Sequence, residues 1–205
     1  MKGKRKKSFL RYGENPNQSA YLINYSNDTI FDCQISGKKI SYNNLIDIDS
    51  GLRCLNEFKD PTSIIIKHTN PCGVASSEKI KNAFLKAYRS DPKSAFGGII
   101  LLNRKVNSGL AKLITKNFFE MVVASNFDKS ALEILKRKKK LILLKIPNIK
   151  IKNIEYKSTL FGDLYQTTDI IPINKKFLSL VSYKNVSSKS IDDIIFSIKV
   201  AKHLK

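Results

Sequence analysis

The chain has 205 residues, of which 42% are apolar and 26% charged, a composition typical of one globular domain or two small ones. No apolar run reaches the roughly 18 residues of a membrane span, and no apolar segment follows the basic N-terminus as it does in a secretory signal. Three cysteines without metal-ligand spacing and only two histidines argue against a metal site and favour a reducing cytoplasm.

The formal charge of +20 invites comparison with nucleic-acid-binding proteins. The excess is mainly lysine and is spread along the chain, whereas arginine is the residue that makes bidentate phosphate and base contacts. We therefore expect a general attraction for anionic ligands. A basic nucleic-acid-binding module is kept as an alternative.

The chain opens with a basic segment and a polar loop. Residues 1–9 are expected to be a mobile lead-in, and Leu10–Gln18 is a loop by its Gly, Asn and Pro residues. Turn formation does not need Arg11 or Tyr12, so both are candidate ligand contacts. The alternative is an N-terminal arm that packs on the domain.

A short hairpin and a helix follow this loop. Ala20–Tyr25 is predicted to be a strand that pairs with Phe31–Ile35. A stripe of apolar residues predicts a helix that is capped by Asn43 or Asn44 and ends at Phe58.

Three consecutive isoleucines, Ile64–Ile66, predict a short buried strand. The strand is expected to stop at Lys67 and His68, and the Asn, Pro and Gly residues of Thr69–Gly73 predict a turn. Because open α/β sheets bind ligands at the carboxyl ends of their strands, Lys67 and His68 are candidates for chemistry. The alternative is an ordinary pair of surface residues.

From Phe58 to Ile146 strands and helices alternate, which favours an α/β fold with a largely parallel sheet. One predicted strand contains Glu120, a carboxylate that either lies at a strand end or is costly to bury. Gly97 and Gly98 allow a positive φ or a close approach of a ligand, although a tight turn is the simpler interpretation. Further strands are predicted at 99–102, 118–124 and 141–146. Helices are predicted after the candidate cap Ser77, from Asn107 or Ser108, and from Lys129.

After Pro147 the pattern weakens. An extended segment or hairpin is predicted within Lys157–Ile173, and an amphipathic helix from Ser190. The helix reaches Lys205 without a capping glycine or a following strand, which indicates that the element belongs to a longer fold.

Four motifs in this chain have the order and spacing found in the AICAR transformylase domain, which the sequence resembles over almost its whole length. They are LRYGENPNQ at Leu10–Gln18, ISYNNL at Ile40–Leu45, KHTNPCG at Lys67–Gly73 and SAFGG at Ser94–Gly98. The resemblance implies a cytidine-deaminase-like layered α/β fold without zinc. It places the first α/β subdomain at residues 10–146, and the start of a connection to a missing second subdomain at 147–205.

The resemblance also implies an activity, the transfer of a formyl group from 10-formyltetrahydrofolate to AICAR in purine biosynthesis. It makes Lys67 and His68 the catalytic pair. The residues that it implies as substrate contacts are Arg11, Tyr12, Asn70, Gly97 and Glu120.

Departures from the family pattern also carry expectations. Asn17 stands where the family usually has histidine, and Ser125 where proline is usual. The cyclohydrolase domain has no room before Leu10, and the second half of the transformylase domain is missing. Since the family's active sites lie between subunits, we expect a homodimer or association with a C-terminal half. The alternative is a nucleotide-binding remnant without catalysis.

Overall fold

The structure, a computed structural model, describes residues 6–24, 29–181 and 186–204. The chain divides into two compact units. The first contains the described residues up to Asn148 together with His203 and Leu204, and the second the described residues of Ile149–Lys202. Among the described residues, no helix is both long and apolar enough to cross a bilayer.

A six-stranded mixed sheet forms the centre of the first unit, in the order β3-β8-β7-β6-β4-β5. Its strands are β3 (Gln34–Ser36), β4 (Thr62–Lys67), β5 (Asn70–Ser76), β6 (Ile99–Leu102), β7 (Met121–Ala124) and β8 (Ile142–Lys145). A separate antiparallel ribbon precedes it, formed by β1 (Lys6–Phe9) and β2 (Tyr21–Asn24).

Five helices accompany this sheet in the described part of the first unit. They are α1 (Tyr42–Leu55), α2 (Ile80–Ser90), α3 (Pro92–Ala95), α4 (Ser108–Ile114) and α5 (Lys129–Leu135). Every residue of β6 and β7 is buried, as continuous runs of Ile, Leu and Val predict for strands covered on both faces. Ala83, Phe84 and Ala87 form the buried stripe of α2, in agreement with its helical spacing.

The α/β class is confirmed, but the expectation of a largely parallel sheet is wrong. Only the pairs β6–β7 and β7–β8 are parallel, whereas β3–β8, β4–β5 and β4–β6 are antiparallel. The physical reason is the connection between β4 and β5, which consists of two residues. A loop of that length lets β4 and β5 pair only in the antiparallel direction, because a parallel pair needs a crossover of a dozen residues or more.

The N-terminal pairing also differs from the prediction. Lys6–Phe9, part of the expected basic lead-in, forms β1 and pairs with β2. The predicted strand at Ala20–Tyr25 corresponds to β2, and Tyr25 lies outside the described residues, as do residues 1–5. The predicted partner is wrong, since β3 pairs with β8 at the far edge of the sheet instead.

Two helices begin at residues other than those predicted. Helix α1 begins at Tyr42 because Ser41 and Asn44 form a reciprocal capping box, so the predicted caps Asn43 and Asn44 are wrong. Helix α2 begins at Ile80 with no side-chain cap bond, so the predicted cap Ser77 is also wrong. The cap of α4 is Asn107, as one of the two predicted alternatives had it.

The second unit contains an antiparallel hairpin of β9 (Ile154–Thr159) and β10 (Gly162–Thr167), a single 3-10 turn (Lys175–Phe177) and α6 (Ser188–Ala201). Of the two predicted alternatives within Lys157–Ile173 the hairpin forms, although its first strand begins at Ile154. Helix α6 begins two residues earlier than expected because Ser187 caps it. No residue is buried among the described residues of this unit.

Candidate functional site

A two-residue turn joins β4 to β5 and carries the candidate histidine. Lys67 pairs with Asn70, which leaves His68 and Thr69 as the turn residues. Their φ angles are +52° and +64°, the pattern of a type I′ hairpin turn, and they are the only non-glycine residues with positive φ in the described part of the chain.

The predicted turn at Thr69–Gly73 is therefore wrong, because Asn70–Gly73 belongs to strand β5. That strand lies at the edge of the sheet, where Pro71 is tolerated because its missing N–H is not needed by a second neighbour. The local sequence misleads here, since Asn-Pro is elsewhere a turn signal.

Lys67 and His68 are held in different ways. The Lys67 Nζ donates a hydrogen bond to the carbonyl oxygen of Phe96 at 3.0 Å, and this side chain is half-buried. His68 is exposed, and its carbonyl oxygen accepts from the Thr69 hydroxyl at 2.6 Å and from Asn70 Nδ2 at 3.2 Å. The turn thus presents an imidazole to solvent, one residue after a lysine whose ammonium group is anchored to the backbone.

The loop that contains Gly97 lies against the end of β4. Gly97 has a φ of +74°, and its N–H donates to the carbonyl oxygen of Phe118 at 2.9 Å. A Cβ on Gly98 would stand 3.0 Å from the carbonyl oxygen of Ile66, so the two backbones approach closely. Together with the Lys67–Phe96 bond, this packing places Gly97 next to the lysine.

Glu120 immediately precedes β7, so the structure selects the strand-end alternative for this carboxylate. Its Oε1 is 3.0 Å from Lys38 Nζ and accepts from Asn44 Nδ2 at 3.0 Å. Partial burial alone would raise the pKa of Glu120, but the hydrogen bonds from Asn44 and Lys38 and the charges of Lys38 and Arg11 together lower it. The carboxylate therefore stays ionised close to Arg11.

Asp47 connects this carboxylate to the turn. Its Oδ1 accepts from the backbone N–H of Thr69 at 2.7 Å. Burial raises the pKa of Asp47, and the nearby negative charge of Glu120 adds to the rise, while the Thr69 N–H, the charge of His68 and the His68 N–H oppose it. Asp47 is therefore close to both His68 and Glu120.

The loop with Arg11 and Tyr12 is tied to the start of α1. Asn43 Nδ2 donates to the carbonyl oxygen of Glu14 at 3.2 Å. The Arg11 guanidinium lies 4.7 Å from the centre of the Tyr12 ring and donates to the Tyr12 hydroxyl at 2.9 Å. Arg11 is exposed and its charge acts on Glu120, so the loop belongs to the same polar cluster as the turn.

The structure thus groups the predicted site residues around the N-terminal half of α1 and the end of β4. It adds three side chains that sequence reasoning missed, namely Lys38, Asn44 and Asp47. Asn44 lies inside the motif at Ile40–Leu45 and was read only as a candidate cap. Asp47 stands three residues after Asn44, on the same face of the helix, and this spacing is the signal that would have found it.

An α/β domain with an exposed imidazole, an anchored lysine and an exposed arginine at one side of its sheet is a candidate enzyme domain for an anionic substrate. Comparison with known proteins identifies the family. The sequence profile of the AICARFT/IMPCHase bienzyme matches residues 1–205, and the chain belongs to this family.

Relatives that carry the name bifunctional purine biosynthesis protein PurH agree with this assignment. The protein from Thermoanaerobacter sp. is 43% identical in an alignment 201 residues long that covers 96% of this chain and 39% of the relative. That from Buchnera aphidicola subsp. Schizaphis graminum is 43% identical in an alignment 209 residues long that covers 98% of this chain and 40% of the relative. The chain therefore spans about 40% of the length of the curated relatives it matches.

Proposed function

We propose that this chain supplies the AICAR-binding and catalytic side of a formyl transfer from 10-formyltetrahydrofolate to AICAR, which yields FAICAR in purine biosynthesis. The observation that carries the proposal is the clustering of Lys67, His68, Gly97, Glu120 and Arg11 around one end of β4 and α1. Membership of the bienzyme family supports the choice of reaction.

The chemistry requires a base and a cation at one place. The amine of AICAR is a poor nucleophile because its lone pair is delocalised into the ring and the carboxamide. As it attacks the formyl carbon, a new C–N bond forms, the bond to N10 of the folate breaks, and one proton moves from the amine to N10. Negative charge develops on the formyl oxygen in between.

In this proposal His68 accepts the proton of the amine, since an imidazole serves as a general base at near-neutral pH. The ammonium group of Lys67 stabilises the developing oxyanion and donates a proton towards N10. Its bond to the Phe96 carbonyl supports this role because it holds the lysine in one position before substrate binds.

The remaining residues bind the nucleotide. Arg11 offers a planar fork of N–H donors to the phosphate. Gly97 lets the base approach the backbone, and Asn70 and Tyr12 contribute polar contacts. Glu120, ionised and held by Lys38 and Asn44, accepts hydrogen bonds from hydroxyl groups of the nucleotide.

Further parts of the proposal concern what lies beyond this chain's residues. The folate contacts come from a second subdomain. Residues 147–205 form the start of the connection to it. The site is completed in a homodimer or by a C-terminal half. The layering of the first subdomain, residues 10–146, is of the cytidine-deaminase type and works without zinc. The mixed sheet with its buried parallel strands supports this assignment.

Substitution of His68 tests the proposal. His68→Ala is expected to lower kcat for formyl transfer about 100-fold or more, the range of general acid–base catalysis. Phe161→Ala, a fully exposed residue in the other hairpin turn, is the matched control and should leave kcat unchanged. Equal turnover of wild-type protein and His68→Ala would remove the imidazole from the mechanism.

A further inference from the structure

The turn that carries His68 has an unfavourable backbone conformation for its sequence. Type I′ turns favour Asn-Gly because both central residues need positive φ. Here the two positions hold histidine and threonine, and a β-branched residue such as Thr69 is a rare occupant of this region. Residues in such conformations are strained and persist only where the surroundings fix them.

Helix α1 provides surroundings of this kind. The Asp47 carboxylate accepts a hydrogen bond from the Thr69 N–H at 2.7 Å. Hydrogen bonding from the His68 N–H also lowers the pKa of Asp47. One helical turn further, the Ser50 hydroxyl donates to the carbonyl oxygen of Thr69 at 2.8 Å. Both side chains lie on one face of the helix, at a spacing of three residues.

The helix can reach the turn because it packs closely on the sheet. A Cβ on Gly51 would stand 2.6 Å from the Leu101 side chain in β6, so a larger residue there would push α1 away. Asn44, on the same face and one helical turn before Asp47, binds Glu120. One face of α1 therefore contacts both the turn and the nucleotide-binding carboxylate.

We infer that Asp47 and Ser50 are positioning residues, which hold the turn His68–Thr69 in its left-handed conformation and thereby fix the imidazole against the substrate. We call this set of four residues the α1 clamp. The predicted effect on formyl transfer rests on the proposed function, whereas the effect on the turn itself does not.

Hydrogen exchange tests the clamp without any assay of activity. In Asp47→Ala the amides of His68 and Thr69 should exchange about tenfold faster or more, because both lose a charged acceptor. Asp47→Asn keeps an acceptor oxygen and should show a smaller increase. The matched control is Asp49→Ala on the same helix, whose side chain is mainly exposed and pairs with Arg53 at 2.8 Å.

Steady-state kinetics well below the melting temperature test the consequence. Asp47→Ala should lower kcat about tenfold or more, with the KM for AICAR changed less than about twofold, because misplacing the imidazole affects the chemical step. Adding Thr69→Gly should recover part of kcat, since glycine adopts positive φ without steric cost. A merely structural role of Asp47 would change the melting temperature without this split between kcat and KM.

The outcomes separate the two proposals. Exchange at His68 and Thr69 within about twofold of wild type in Asp47→Ala would overturn the clamp, whatever the kinetics show. If Asp47→Ala does not fold, Ser50→Ala decides, with faster exchange at Thr69 expected and unchanged exchange contradicting the clamp. Wild-type protein that shows no formyl transfer when the C-terminal half is supplied would refute the proposed function, and the exchange result would then decide the clamp by itself.

Discussion

Two hairpins in the described part of the chain have two-residue turns, and they differ in what holds them. The turn of β4–β5 is contacted by side chains of α1, and its first strand is almost wholly buried. The turn of β9–β10 exposes Leu160 and Phe161 almost completely, and its described hydrogen bonds run within the hairpin, such as that from Thr159 Oγ1 to the Gly162 carbonyl oxygen at 2.7 Å.

The difference shows how the same local topology serves two purposes. The second hairpin satisfies its backbone by itself and uses Gly162, at a φ of +129°, where the turn requires an unusual conformation. The first hairpin uses histidine and threonine at positive φ and relies on a neighbouring helix to keep them there. Backbone strain that the surrounding structure maintains clusters at active sites, ligand clamps and switch regions.

Burial makes the largest predicted difference between the hairpins. Ile65→Ala in β4 removes a side chain with no exposed surface and should lower the free energy of unfolding by about 2–5 kcal/mol. Leu164→Ala in β10, where the leucine is 63% exposed, should change it by no more than about 0.5 kcal/mol. Urea unfolding of both variants measures the contrast, and similar losses would show that the two strands are equally packed.

Much of the first unit could be predicted from the sequence because its elements are specified locally. The apolar runs of β6, β7 and β8 and the cap of α4 are local signals that tertiary packing did not overrule. The β4–β5 hairpin could not be found in the same way. His-Thr is not a type I′ sequence, and Asn70-Pro71 suggests a turn where an edge strand forms.

Some residues of the candidate site could likewise be selected from the sequence, and others could not. Lys67 and His68 stand at the end of a predicted strand and inside a family motif, and both signals selected them as candidates. Glu120 lies within a predicted strand and outside the four motifs, so only the resemblance selected it. Lys38 and Asp47 act only through tertiary contacts, with Glu120 in one case and with the turn in the other. No local pattern indicates Lys38. The spacing of Asp47 from Asn44 indicates a shared helix face but not what that face contacts, so both roles became visible only with the fold.

A smaller effect distinguishes the two carboxylates of the site by pH. Glu120 has a lowered pKa, so its contribution to stability is present above its unfolded pKa of about 4 and is lost as the pH falls through its folded pKa. Asp47 has a raised pKa, so its contribution is fully present below the unfolded pKa and is lost as the pH rises through the folded one.

Urea unfolding between pH 3 and pH 7 measures both effects. Wild type should lose stability relative to Glu120→Gln on acidification, and relative to Asp47→Asn on moving from pH 3 to pH 7. Each difference is expected to stay below about 1 kcal/mol, because both carboxylates are partly solvated. If raising the pH from 3 to 7 changed the stability of wild type in the same direction relative to both variants, the opposite pKa shifts would be contradicted.

The most direct test of the account is a titration of the labelled protein with AICAR, followed by NMR. We predict chemical-shift changes at the His68 imidazole and at the backbone of Gly97, with the imidazole of His203 as an internal reference that does not respond. Shifts confined to the β9–β10 hairpin, or saturable binding that leaves His68 and Gly97 unaffected, would contradict the assignment of the nucleotide to the end of β4.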